Sequence, residues 1–451
     1  MAQAYDAIIA TITVASDASQ VVKTMVKSTT WREGTSGSWL STNCTLTAGN
    51  TYQFRTPLSG MSSSSTAILP NIKASVTVAW DTTATLISTL GDNFMRSYAN
   101  NCSNLTSLSA PNTSGLTSVG DFFMYSYAKG CTNLTSLSVP DTSGLTSVGD
   151  VFMYSYAYDC SKLTSLSVPD TSRLTSVGNI FMGCYAEGCS NLTSLSVPDI
   201  SRLTSVGTNF MGSYARYCSS LKSLSVPDTS GLASVGNHFM SAYAFVCSSL
   251  TSLSVPDTSG LTSVGDSFMS YYAYGCSSLT SLSVPDTSGL ASASVGNGFM
   301  YFYAFGCTNL TSLSVPDTSG ITSVGTYFMS YYAYGCSKLT SLSVPDTSRL
   351  TSVGNYFMYY YAGNCSGLTS LILPDSTGWF GSHNVNWSVP SGRLGYLYGY
   401  TPNSTSQTAW RALTVSGKTL YTNYIRAEDH VLLSTTPIIG AKYPLPPFRI
   451  S

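Results

Sequence analysis

The chain has 451 residues, a formal net charge of −1, and 9% charged against 43% hydrophobic residues. Charge this sparse gives no electrostatic case for nucleic acid or an anionic membrane surface, and no run of about 18 apolar residues offers a membrane-spanning helix. The apolar content suffices for a large core, and a soluble protein is expected.

The chain opens with "MAQAYDAIIATITVAS", which has no basic leading region and alternates apolar residues with Thr, so it reads as a strand and not as a secretory signal. With "NTYQFRTPL" and "ASVTVAWD" it gives alternating runs between Ser/Gly-rich turns. Residues 1–85 are therefore expected to form a β-rich, sandwich-like domain that keeps Trp31, Trp39 and Trp80 as its own core.

Residues 86–375 repeat one unit of 29 residues about ten times. Taking Cys247–Gly275 as reference and Cys247 as position 1, "LTSLSV" puts Leu253 and Val255 on one side of an extended segment and Ser252 and Ser254 on the other. "LTSVG" reads as a second short strand. Between them "PDTSG" is a turn, with Pro fixing φ, Asp able to accept backbone N–H bonds and Gly tolerating positive φ. In "FMSYYAYG" the unchanging Phe268, Met269, Tyr272 and Ala273 fall at i, i+1, i+4 and i+5, one stripe of a short helix stopped by Gly275. Each unit is thus predicted as strand, turn, strand and short helix, an α/β repeat solenoid. One unit cannot bury its apolar stripe alone, so copies must stack; ten rungs at about 4.8 Å give a rod of roughly 50 Å.

The order Cys-x-x-Leu-x-x-Leu-x-Val-Pro, then Leu-x-x-Val-Gly, then a small helix returning to Cys resembles the BspA-like leucine-rich repeats of bacterial and protist surface proteins and some phage proteins. The unit is longer than is usual there, with residues added around "DTSG" and "FMxxYA". The resemblance implies adhesion or binding without catalysis. Residues 376–451 turn to "GWFGSHNVNWS" and "GRLGYLYGYT", expected to cap the rod and add a small attachment module.

Several ladders compete as sites. The recurring Cys102, Cys131, Cys160 and their later copies to Cys365 read as small buried residues, with Cys184 alone at a changing position and expected at the surface. The Asp that follows each Pro, as in Asp257, Asp286 and Asp317, is either a turn acceptor or one of a row of calcium ligands. Neighbouring carboxylates about 5 Å apart repel by roughly 0.8 kcal/mol even in water, so something must offset them. The turn role is preferred, because one carboxylate per rung is fewer oxygens than calcium takes. No cofactor is expected. The Ser/Thr strand face reads as an uncharged soluble surface, with glycan attachment or water ordering as alternatives. His238, His383 and His430 fit no catalytic or zinc pattern.

Six positions change from copy to copy: 20, 21, 24, 25, 28 and 29. A drifting solvent face fills with Lys, Glu, Gln and Asp, whereas this one is mostly Tyr, Ser, Gly, Asn, Asp and Phe, the mixture of antibody-like contact surfaces. Aromatics crowd its C-terminal rungs: Tyr271, Tyr274, Tyr301, Phe302, Phe305, Tyr327, Tyr331, Tyr334, Tyr356, Tyr359 and Tyr360. Of the sixty residues at these positions, all but Lys129 and Glu187 can be encoded by codons ending in a pyrimidine, which admits either targeted diversification or a loop-like composition. The sequence therefore reads as a non-enzymatic recognition protein, extracellular, on a cell surface or on a virion, such as a phage receptor-binding protein. Its partner would be a protein or glycan on a cell surface, with no nucleic acid and no membrane insertion, and a homo-oligomer is expected. The alternative is a structural protein whose copies pack through the same face into a filament or surface layer.

Overall fold

The computed structural model describes residues 7–16, 20–22, 29–57, 73–80, 88–290, 294–347, 349–368 and 370–372, with further short strands at Tyr396–Tyr398, Tyr424–Ile425 and Leu432–Ser434. The expected C-terminal cap and attachment module otherwise lie outside the described residues.

Alternation makes the N-terminal strands. In β1 (Ala7–Val14) the residues Ile8, Ala10, Ile12 and Val14 are buried, and the register places β1 antiparallel between β5 (Thr51–Pro57) and β6 (Ala74–Trp80). A ribbon of β2 (Gln20–Val22) and β4 (Cys44–Leu46) lies apart from this sheet, and β3 (Thr30–Glu33) pairs with β5. After β7 (Thr89–Leu90) comes β8 (Leu105–Leu108), which pairs parallel with β6, Ala74 against Leu105 and Val76 against Leu108. The N-terminal strands and the first rungs therefore share one six-stranded sheet, and β6 presents the template on which the repeats stack. Trp80 seals that junction: its ring lies 5.8 Å from Phe94, the first ring of a ladder through the array, and its indole N–H donates to the Asn112 carbonyl.

Each coil then places two residue pairs in parallel, in-register ladders, Ser252-Leu253 in one and Ser263-Val264 in the other. Leu253 points inward and Ser252 outward, as period-2 alternation requires. The "PDTSG" corner is a turn closed by Asp: the Asp257 carboxylate accepts from Ser259 N–H at 3.0 Å and from its hydroxyl at 2.7 Å. Pro256 and Thr258 are buried beneath it.

The segment expected to be helical is not a helix, and among the described residues there is none. From position 20 to 29 the chain runs through overlapping tight turns, with positions 21, 23, 25 and 29 of every coil at φ between 47° and 78°. Positive φ at the third residue of a turn reverses the chain without the i to i−4 bonds of a helix. In the reference coil Ser270 N–H donates to Ser267 O, Tyr274 to Tyr271 and Cys276 to Ala273, all three residues back. The peptides between these turns bond to the next coil: Tyr271 N–H to Tyr301 O at 2.7 Å, Ala273 to Tyr303 at 2.9 Å and Gly275 to Phe305 at 2.7 Å. Every second amide thus closes a local turn and every other one joins coils, so the run is satisfied without a sheet or a helix. Residues alternate in pairs: Phe268-Met269 and Tyr272-Ala273 are fully buried, while the changing pairs lie on the other side of the run, most of them half-buried or exposed and a few, such as Ser126, Ser155, Glu187, Ser270 and Ser330, buried against neighbouring coils.

The buried pairs stack as continuous ladders. Phe rings from Phe94 to Phe357 repeat at 5.3–5.8 Å, and Tyr rings from Tyr98 to Tyr361 at 5.2–5.6 Å. From Tyr127 onward each buried hydroxyl crosses the core to a Ser carbonyl on the first strand, as Tyr272 does to Ser254 at 2.5 Å. Removing such a hydroxyl leaves a buried carbonyl unpaired, at about 1–3 kcal/mol. The recurring Cys residues fill the remaining corner, and from Cys131 onward each thiol donates to the Ala carbonyl of an adjacent coil, as Cys247 does to Ala215 at 3.0 Å.

Burial pushes the hydroxyls of Tyr127, Tyr156, Tyr185, Tyr214, Tyr243, Tyr272, Tyr303, Tyr332 and Tyr361 well above their ordinary range, and the thiols of Cys189, Cys247 and Cys307 up to about 12. These folded-state values exceed the unfolded ones, so their stabilisation is complete below the unfolded value and is lost as pH rises. Chemical denaturation should therefore give a flat unfolding free energy from pH 6 to 8 and a steep decline above about pH 9, each group contributing up to about 1.4 kcal/mol per pH unit. A stability unchanged at pH 11 would contradict the buried ladders.

The candidate recognition face

The outer pairs form one long face beside the two strand ladders. The sequence treats six positions as free to change, but the structure removes one of them. Position 20 carries only Asp, Asn or Thr, and where it is Asp or Asn its side-chain oxygen takes the backbone N–H of position 20 in the next coil: Asp121 from Asp150 at 2.8 Å, Asn237 from Asp266 at 2.8 Å, Asp266 from Asn297 at 2.7 Å. The preceding Gly makes this approach possible. A Cβ on Gly265 would sit 2.4 Å from Asn237 Oδ1 and 2.6 Å from its backbone nitrogen, which leaves no room for any side chain. The positions left to vary are therefore 21, 24, 25, 28 and 29, although at position 24 the buried Ser270 and Ser330 hydroxyls donate to the Gly298 and Tyr356 carbonyls of the next coil.

In the C-terminal coils that face is built of stacked rings. Position 25 gives the column Tyr271, Phe302, Tyr331 and Tyr360, with centroids 5.0, 4.6 and 5.3 Å apart and planes within 14°. Position 28 gives a second column, Phe245, Tyr274, Phe305 and Tyr334, at 4.5, 4.6 and 4.9 Å. Tyr301 and Tyr359 meet the first column edge-on, and Tyr327 stacks on Tyr356 at 4.9 Å along a third row. The coil repeat equals the stacking distance of aromatic rings, so identical backbone positions become ring columns wherever neighbouring coils carry aromatics. All eleven aromatics singled out in the sequence are brought together. They are half-buried against one another except for Tyr327 and Tyr356, which are 37% and 38% exposed.

Phe245 and the 42% exposed Tyr217 belong to the same patch and were passed over, although their positions, 28 and 29, already marked them. The N-terminal half of the face is different. Arg96 lies over Phe122 and Tyr125, Lys129 over Tyr158, and Arg216 over Tyr217 and Phe245, each with its cation 4.6–5.0 Å from a ring centre. Arg216 also pairs with the buried Glu187 at 3.5 Å. The face thus grades from charge set on rings to an uncharged aromatic strip. Desolvation raises the hydroxyls of Tyr271, Tyr301 and Tyr331, and that of Tyr359 up to about 12, so these four stay neutral at physiological pH.

The other candidates are absorbed by structure. Asp257, Asp286 and Asp317 point their carboxylates at the Ser two residues on, and among the described residues no three His, Cys, Asp or Glu side chains converge as a metal site. Asp286 is held below the ordinary carboxylate range by those Ser bonds. Cys184 is half-buried, not exposed, and its thiol is pushed up to about 12, chiefly by burial. His238 is exposed at position 21 and stands among changing residues.

Stacking in the columns should be measurable. Replacing Phe305 by Ser removes contacts with Tyr274 and Tyr334, each worth about 0.5–1.5 kcal/mol. Urea denaturation of Phe305→Ser should show about 1–3 kcal/mol lost with an unaltered circular-dichroism spectrum; no loss would mean the columns are incidental.

Comparison with protein families matches the chain to the BspA type leucine-rich repeat region, in six copies over residues 93–295 and 298–385. Comparison with curated proteins and with solved structures gives no match.

Proposed function

The chain belongs to the BspA-type leucine-rich-repeat family, whose repeats are in general surface-associated, non-enzymatic binding scaffolds, and from that premise we propose that it is a recognition protein that binds through its outer face. The partner is a protein or glycan displayed on a cell surface, and a phage receptor-binding protein is the setting that best suits a rod with one differentiated side. A single observation carries this reading: the uncharged aromatic strip from Phe245 to Tyr360, seated on a framework that does not need it to close the core. A contiguous, partly exposed aromatic surface of this kind marks binding sites more often than solvent faces. Its neutrality and Tyr/Ser/Gly/Asn composition favour contact by shape and ring edges, with the charged N-terminal half orienting the partner. Across ten coils at about 5 Å and a width of roughly 15 Å, the face approaches the ~800 Å² per partner of a standard interface.

The same strip could join copies of the chain, which is the structural reading, and one experiment separates the two. Tyr327→Ser/Tyr356→Ser changes the two most exposed rings of the strip. Binding of fluorescently labelled protein to a panel of bacterial cells should fall at least tenfold in the double variant, while light scattering gives the same particle mass for both proteins. If the variant binds cells like wild type, the recognition reading fails. If instead wild type forms open-ended fibres that the variant does not, the strip is an assembly interface.

A further inference from the structure

Two of the five positions left to vary hold residues that their backbone disfavours. Positions 21 and 25 lie in the left-handed region in every coil, where Gly, Asn and Asp are at ease and branched or bulky residues are strained. Yet Ile180 sits there at φ 59°, Phe122 at 58° and Tyr271 at 57°. Each such placement costs on the order of 1 kcal/mol or more. Drift under selection for stability would have replaced them, as it evidently can at position 29, where five coils carry Gly at positive φ. The bulky, half-buried residues at 21 and 25, such as Phe122, Ile180 and Tyr271, are there for another reason than the fold.

Their chemistry narrows that reason. Position 20, which must offer a side-chain oxygen to the next coil, shows three residue types; the other five positions, with the same neighbours and repeat, range from Gly through Ser and Val to Tyr and Arg. Yet this wide range omits Gln altogether and contains Lys and Glu once each, as Lys129 and Glu187, although all three are common on ordinary solvent faces. Gln, Lys and Glu share one property that is not physical: their codons end only in a purine. Every other residue found at the six positions can be reached from an Asn codon by changing its two adenines and keeping its final pyrimidine. Asp, Asn and Thr, the residues that position 20 retains, belong to that same set, pruned by a hydrogen bond.

We infer that the outer face is a diversified surface: versions of this protein share the framework and differ at positions 21, 24, 25, 28 and 29, having been rewritten at adenines of Asn-type codons, and each version recognises a different partner. This rests on the recognition reading and gives it a purpose. Backbone bonds between coils hold the outer run, and the inward Phe-Met and Tyr-Ala pairs anchor it, so the outward side chains are exchangeable without a new fold. The ring columns of the C-terminal coils are then one outcome among many, while Arg96, Lys129 and Arg216 on their rings are another.

Two measurements test this. In the coding sequence, codons at the five positions should end almost wholly in C or T, while framework Ser, Thr, Leu, Val and Gly codons of the same coils use all four bases; sequences from independent isolates should differ chiefly at those codons. Equal third-base usage in the two sets, or isolates that differ evenly along the coil, overturns the inference. In the full chain, libraries randomised with pyrimidine-ended codons at positions 21, 24, 25, 28 and 29 of three adjacent coils should leave most members protease-resistant. Randomising position 20, or positions 22 and 23, should leave few. If the five-position library loses resistance as often as the framework libraries, the face is not exchangeable and the inference falls. Should the codon bias hold while Tyr327→Ser/Tyr356→Ser binds cells unchanged, the recognition reading fails and the diversification stands.

Discussion

The structure depends on the hydrogen bonds that pass from one coil to the next. In the strand ladders, amides donate to the preceding coil, as Thr251 does to Lys222 and Ser254 to Leu224; in the outer run they donate chiefly to the following one, as Tyr271 does to Tyr301 and Ala273 to Tyr303. For such bonds to repeat, every coil must adopt the same φ and ψ at the same position, including the positive φ of the outer run. Identity of backbone then forces identity of packing. Equivalent side chains lie one coil apart, near 5.5 Å for rings, and a core of like on like is the consequence: Phe on Phe, Tyr on Tyr, Cys beside Cys. A single unit has no partner for these groups, so stability is a property of neighbours.

The same constraint divides the coil into residues that serve the stack and residues that do not. Phe268, Met269, Tyr272 and Ala273 are buried without remainder; Gly265 is required by the close approach of Asn237; Asp257 closes its corner and Asp266 holds the following coil. What is left over is a set of outward pairs on a backbone whose shape is already fixed. A rigid scaffold with exchangeable side chains reduces the entropy lost on binding, because the surface is ordered before its partner arrives. Function and fold are thus physically separable along this chain, which is why the aromatic strip can be dense in some coils and absent in others.

Much of this was legible. The alternation of "LTSLSV" placed Leu253 inward, "PDTSG" placed the turn, and the equal spacing of Cys247 and its copies placed them in the core. The outer face was legible too, because changing pairs alternate with unchanging ones. The helix was not. Inward residues at i, i+1, i+4 and i+5 fit a helical stripe near 3.6 residues per turn, and they fit equally a run of turns with a period of four. The sequence carries no glycine signal to decide between them, since Met269 and Tyr271 occupy positive φ where Gly would be expected. The one hint was that changing pairs recur strictly every four residues over ten residues, a phase that a helix would lose. Position 20 was misread for a related reason: its restriction to Asp, Asn and Thr looks like polar drift until the neighbouring coil supplies the N–H it accepts.

The central claim is that backbone bonds between coils, and not the outward rings, hold the outer run in place. Amide hydrogen exchange tests it most directly, in a variant with Tyr271, Tyr274, Phe302, Phe305, Tyr331 and Tyr334 all changed to Ser. The amides of Ala273, Ala304 and Ala333, each bonded to the following coil, should stay protected to nearly the level of the strand amides. Exchange of those three amides at the rate of an unstructured chain, while Leu253 and Val264 remain protected, would show that the rings and not the ladder make the face.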